Sequence, residues 1–164
     1  MTLIYPYLNY CNVIWGAADV TIIEPLTLQH KKTIQIISRA GYLDHIELLF
    51  MSMILLTLSE LYKLNCILFI YKCIYSENFT YFKNKMIRGS DIHDHNTRYN
   101  SDIRLPEDSL KRVRQSFFYK GINHWNKLSP EVVIYKPTLT FKINLTSFKK
   151  KIKSNLVSKE LKLV

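Results

Sequence analysis

Glycine is scarce in this chain of 164 residues, with only four copies. So few argue against a Gly-rich phosphate loop, which needs several positions where backbone amides meet an anion without an intervening Cβ. Cysteine is scarce too, and its three copies, Cys11, Cys66 and Cys73, show no CxxC spacing. That pattern offers neither a disulfide framework nor a zinc knuckle, and it suits a reducing compartment. Cys66 and Cys73 fall on one face of a helix and read as buried thiols.

Clustered acids are missing as well. There is no Asp-Asp pair, and the only adjacent acids are Glu107 and Asp108, in a loop-like stretch after Pro106. Two-metal polymerases and nucleases gather carboxylates around their ions, and no such cluster is legible here. Serine-hydrolase elbows, Walker loops and HExxH are absent. The longest apolar run, Leu48 to Leu58, is interrupted by Ser52 and Thr57 and is too short for a bilayer. The opening MTLIYPYLNYC has no basic region, and Pro6 breaks its apolar run, so no signal peptide is expected. The sequons at Asn78 and Asn144 carry no meaning without secretion. These absences together predict an intracellular location and no membrane partner.

What is abundant is positive charge, and it is unevenly placed. Residues 1–80 hold 5 Lys/Arg and 6 Asp/Glu, a net of −1; residues 81–164 hold 18 and 7, a net of +11. A field on that scale attracts polyanions. Aromatics are also plentiful, with eleven Tyr, eight Phe and two Trp. About half of the residues are hydrophobic, enough for a real core. The charge split predicts two parts, a helical scaffold over 1–80 and a basic extension over 81–164.

The pattern along the chain predicts a mainly α fold with a small β-hairpin or extended arm in the C-terminal half. Leu3 to Gly16 reads as a short helix or extended piece. Thr21 to Glu24 has capping-box spacing, with Pro25 as an alternative first residue, and the helix that follows is expected to run to Gly41. Leu26, Ile34, Ile37 and Ala40 should face inward on it, and Lys31, Lys32, Gln35 and Arg39 outward. Residues 42–56 read as a turn and a short helix. Thr57 to Glu60 is a second capping box, opening a helix to about Tyr75 that is apolar all round from Cys66 to Tyr71.

After residue 78 the punctuation becomes that of loops. Asp91 to Pro106, dense in turn formers, is the expected arm. Residues 110–120 allow a helix or, over QSFFYKG, a strand. Ile122 to Leu128 should be a short helix. Leu139, Phe141, Ile143 and Leu145 alternate like a strand. Leu145, Phe148, Ile152 and Leu156 then repeat at helical spacing, with Lys149, Lys150, Lys151 and Lys153 on the opposite face.

Two constellations stand out. Asp91, His93, Asp94 and His95 would put both histidines on one side of an extended strand, which suits a metal or simply a polar hairpin. The basic clusters are denser. Lys111, Arg112 and Arg114 precede Phe117-Phe118-Tyr119-Lys120, Arg98 and Tyr99 lie in the polar arm, and the lysines of 149–153 line the last helix. Cations interleaved with rings suit tracking of a phosphate backbone; each cluster alone also suits a solvated face.

The order of motifs resembles one family. LIYPYLNYCNVIWG (3–16) is similar to the "hPxLxYCxxxWG" opening of the tail of reverse transcriptases from jockey-like, non-LTR (LINE-type) retrotransposons. EPLTLQHKKTIQII (24–37) is similar to "LxxLQkraiRiI", with His30 where the family has a basic residue. Asp44-His45 with Glu47 to Phe50 resembles "HTxPLF", and ILLTLSELYKL (54–64) resembles "lLtlxely". HDHNTRYNSDIRLP (93–106) is similar to "HxyxTRxxxxxxlP". Gly121 with Trp125 to Pro130, and Ser147 to Lys149, resemble "GxxxWNxLP" and "sFKxxlk". The likeness spans nearly the whole chain and departs over 131–144.

The resemblance implies a thumb and C-terminal extension that grip template and primer. In the family the palm, with its Asp pair and Mg ions, lies upstream. It therefore implies no catalysis by this chain alone, no cofactor within it, and RNA, an RNA–DNA hybrid or the palm as partners. The residues singled out for binding nucleic acid are Arg98, Lys111, Arg112, Arg114, Lys149, Lys150 and Lys153, with His95 and Tyr99 as further candidates and Trp125 as a packing anchor. The alternatives are a translated relic of a decayed element, a protein-interaction module, or, more remotely, a metal-dependent nuclease using His93 and His95.

Overall fold

Thr57 and Glu60 start the helix that carries the core. In the computed structural model, which describes residues 4–41, 44–92, 102–106, 110–128 and 141–160, they form the expected capping box. The Thr57 N–H and hydroxyl each donate to Glu60 Oε2 at 3.0 Å, and the Glu60 N–H donates back to Thr57 Oγ1 at 3.4 Å. The chain is mainly helical, as expected, with nine α-helices among the described residues. They are α1 (Ile4–Asn9), α2 (Asn12–Trp15), α3 (Val20–Ser38), α4 (Ile46–Ser52), α5 (Leu58–Tyr75), α6 (Thr80–Lys83), α7 (Lys111–Gln115), α8 (Phe117–Asn126) and α9 (Phe141–Glu160). No helix of the described residues is long and apolar enough to cross a membrane.

By packing, the chain divides into residues 1–65 with 150–164, and residues 66–149. In the first unit α5 contributes buried Leu58, Leu61, Tyr62 and Leu64, and α9 contributes Ile152. Asn65 on α5 donates to Asn9 Oδ1 (3.1 Å) and to the buried Asn12 Oδ1 (3.2 Å), which ties α1 and α2 down. Gly16 lies against the Tyr62 ring so closely that a Cβ there would clash.

Helix α3 departs from its expected start and stop. Asp19, not Thr21, is the N-cap, and its side chain accepts from the Val20 N–H at 3.0 Å. Pro25 therefore sits inside the helix rather than at its first position. At the other end Arg39, not Gly41, takes the left-handed position, with φ 52°. The Arg39 and Ala40 N–H groups donate to the carbonyls of Ile36 (3.2 Å) and Gln35 (3.1 Å), and the last turn is closed before Gly41 is reached. His30 and Ile34 are the buried residues of α3, while Ile37, expected inward, is exposed. Helix α4 ends in the same way, on Ile54 at φ 53°, with Leu55 donating to the Phe50 carbonyl at 2.9 Å.

The second unit is built around the later half of α5, where Cys66, Ile67, Ile70, Tyr71 and Cys73 are buried. Helix α8 packs here through Gly121, where an added Cβ would lie 3.0 Å from Ile70 Cγ1 and 3.5 Å from the Cys66 carbonyl oxygen. Tyr71 stacks on Phe148 of α9, with centroids 4.3 Å apart. Trp125 sits 5.9 Å from Phe148 and 6.4 Å from Tyr71, buried as the expected anchor.

One open reading is settled and one strand reading is corrected. Over 110–120 the chain is helical, because Ser116 joins two helices. Its backbone is extended (φ −61°, ψ 147°), its hydroxyl donates to the Val113 carbonyl at 2.7 Å, and it accepts from the Tyr119 N–H at 3.3 Å. A serine N-cap outweighs the short apolar run behind it. Phe141, Ile143 and Leu145 belong to α9. Extending a helix already held by Phe148 and Ile152 is less costly than nucleating a strand with no partner strand among the described residues. Leu139 lies outside the described residues.

Candidate nucleic-acid interface

Residues 87–89 and 102–104 are held together by backbone pairing. Arg88 and Ile103 form an isolated antiparallel bridge, with Gly89 N–H donating to the Asp102 carbonyl (3.3 Å) and Arg104 N–H to the Ile87 carbonyl (2.8 Å). Asp91 accepts from the Arg88 N–H at 3.0 Å and closes a tight turn over Gly89–Asp91. Asn126 of α8 braces the other side, accepting from the Ile103 N–H and donating to its carbonyl. His93, Asp94, His95, Arg98 and Tyr99 lie outside the described residues. Among the described residues, no group of three or more His, Cys, Asp or Glu could hold a metal ion.

Of the singled-out cations, Arg112 and Arg114 are exposed on α7, with Val113 half-buried between them. The side chain of Lys111 lies outside the described residues. On α9, Lys149 and Lys150 are exposed, opposite the buried Phe148 and Ile152. Lys151 and Lys153, expected on the same outer face, are half-buried. The arginines share one helix and the lysines another, so the exposed candidates stand as two pairs on different elements.

The two Phe rings that follow these arginines are committed to packing. Phe117 meets Phe69 edge-on, with centroids 5.2 Å apart, and Phe118 lies 5.7 Å from Phe82. Phe69 also contacts Phe79 (5.7 Å) and Phe82 (5.3 Å). Each such pair adds about 0.5–1.5 kcal/mol beyond its buried area, so the cluster fastens α6 and α8 to α5 within this unit. All five of these Phe rings are half-buried.

One ring at the edge of the cluster is different. Tyr81 is 67% exposed, and the Lys85 ammonium lies 4.6 Å from its ring centroid. Lys83, Lys85 and Arg88, nearby in the chain, are also exposed. Loop punctuation hides the short helix α6 in the sequence; the i, i+4 spacing of Tyr81 and Lys85 is the signal available there. Reactive thiols are not part of this surface: Cys66 and Cys73 are buried as expected, burial pushes the Cys73 thiol up to about 11, and Cys11 is exposed in the other unit.

No family model matches the chain, and neither curated proteins nor solved structures yield a match.

Proposed function

We propose that this chain binds RNA or an RNA–DNA hybrid through the phosphate backbone, with little regard for sequence. The observation that carries this is the pair of exposed arginines, Arg112 and Arg114, on a short helix joined to a packed aromatic cluster. Guanidinium groups on a rigid base suit repeated phosphates, and the net charge of the second half supplies the attraction. The ordered motifs support a more specific origin, the thumb and C-terminal extension of a non-LTR retrotransposon reverse transcriptase. On this reading 1–80 is the scaffold and 81–164 the basic extension. The chain does not catalyse on its own, Mg ions belong with the palm, and the protein is intracellular.

A second reading, a protein-interaction module, is favoured by one observation. Tyr7, Tyr10, Ile14, Val20, Ile22 and Ile36, all in the first unit, are each at least 69% exposed. Single exposed apolar residues are ordinary, but six of them among residues 7–36 suit a partner surface. Fluorescence anisotropy with a labelled RNA–DNA hybrid at low salt separates the two. Binding at micromolar protein or below is expected; its absence removes the nucleic-acid reading and leaves the second.

A further inference from the structure

We infer that Tyr81 and Lys85 form a stacking platform for a single-stranded segment of nucleic acid, a site that rests on the binding function proposed above. Sequence-tolerant single-strand binding needs a ring that a base can cover and cations that follow the backbone on either side. The Phe rings beside Arg112 and Arg114 do not meet the first need, since Phe117 and Phe118 are spent on Phe69 and Phe82. Tyr81 meets it. Its ring lies edge-on to Phe82, with centroids 5.4 Å apart and an interplanar angle of 84°. That contact anchors Tyr81 to the cluster without burying it.

The Lys85 ammonium over the ring holds its orientation by a cation–π contact. Because Tyr81 as a residue remains 67% exposed even with that ammonium over its ring, it still offers surface to a base. Lys83 and Arg88, both exposed, place two further cations close by in the chain. The phosphates flanking a stacked base would meet them. A duplex keeps its bases stacked on one another and cannot use the ring, so Tyr81 is specific to a single strand, whereas the lysines serve either form.

The test compares a labelled mixed-sequence RNA with the duplex it forms with its complement, using the full chain. Tyr81→Ala is expected to weaken single-strand binding roughly 5- to 150-fold, the loss of one base–aromatic stack. It should leave duplex binding unchanged, and Tyr81→Phe should keep both. Lys85→Gln should flatten the single-strand salt dependence by about 0.7 in log–log slope, one phosphate contact. Single-strand binding by Tyr81→Ala equal to that of the unchanged chain, an equal loss on the duplex, or an unaltered Lys85→Gln slope overturns the site. If the unchanged chain binds neither nucleic acid, the broader function fails with it. If it binds both and Tyr81→Ala has no effect, only the platform fails.

Discussion

Asn126 pairs with Ile103 as a neighbouring strand would. Its Oδ1 accepts from the Ile103 N–H at 3.2 Å, and its Nδ2 donates to the Ile103 carbonyl at 2.8 Å. Ile103 is buried, so neither backbone group has water as a ready substitute. One amide thereby fixes Ile103, which bridges to Arg88, to α8, next to the buried Trp125. We predict that Asn126→Ala costs about 1–3 kcal/mol, the penalty for leaving buried polar groups unpaired. Denaturant unfolding measures the loss, and hydrogen exchange should show the Ile103 amide losing its protection. Asn126→Ala with unchanged stability and protection would contradict the bracing role.

Ile54 holds the left-handed position that ends α4, at φ 53°, although it is β-branched and 62% exposed. A branched side chain there crowds the backbone, and glycine relieves the crowding at some cost in chain entropy. Ile54→Gly should raise stability by roughly 0.5–1 kcal/mol, the strain relieved less that entropy. Ile54→Ala, which keeps a Cβ, should gain less. Thermal unfolding of the three chains orders them, and a destabilised Ile54→Gly would show that the side chain contributes packing instead.

His30 is buried in α3, edge-on to Phe50 with centroids 5.1 Å apart, and burial holds its pKa below the usual 6.5. The unfolded chain therefore takes up a proton at His30 that the folded chain resists. The stability this provides is fully present above pH 6.5 and is lost as the pH falls through and below that value. His30→Leu keeps the buried volume and removes the titration. Unfolding free energy should fall more steeply with acid in the unchanged chain than in the variant, in the window just below pH 6.5. Parallel curves would place the acid sensitivity elsewhere.

Much of the first unit and the central helix was readable from residue order. Thr57 with Glu60 marked the start of α5, and the unbroken apolar stretch from Cys66 to Tyr71 marked its burial. Helix α3 was readable in kind but not at its ends. Asp19 and Thr21 both offer a capping oxygen, and only the tertiary setting selects one. Arg39 occupies a left-handed position that sequence reasoning assigns by default to the nearby Gly41. Phe141 to Leu145 shows why a short alternation misleads: it repeats at strand period, yet it continues a helix anchored further along. For the candidate site, exposure of Arg112, Arg114, Lys149 and Lys150 was foreseen from charge. The packing of Phe117 and Phe118 against Phe69 and Phe82 was not, because those partners are distant in sequence. Tyr81 is hidden by the loop-like punctuation around α6, and its value as an open ring depends on the rings beside it being packed.

The central claim is that exposed cations, Arg112 and Arg114 above all, bind a phosphate backbone without reading sequence. The most direct measurement is a salt titration of anisotropy with an RNA–DNA hybrid, for the unchanged chain and for the chain carrying Arg112→Glu and Arg114→Glu together. Log affinity should fall linearly with log salt, with a slope of about −0.9 per phosphate contact if the hybrid behaves as B-DNA does. The double charge reversal should weaken binding alike for hybrids of unrelated sequence and make the slope shallower. Absence of binding at micromolar protein and low salt, or an affinity indifferent to salt and to the charge reversal, would contradict it.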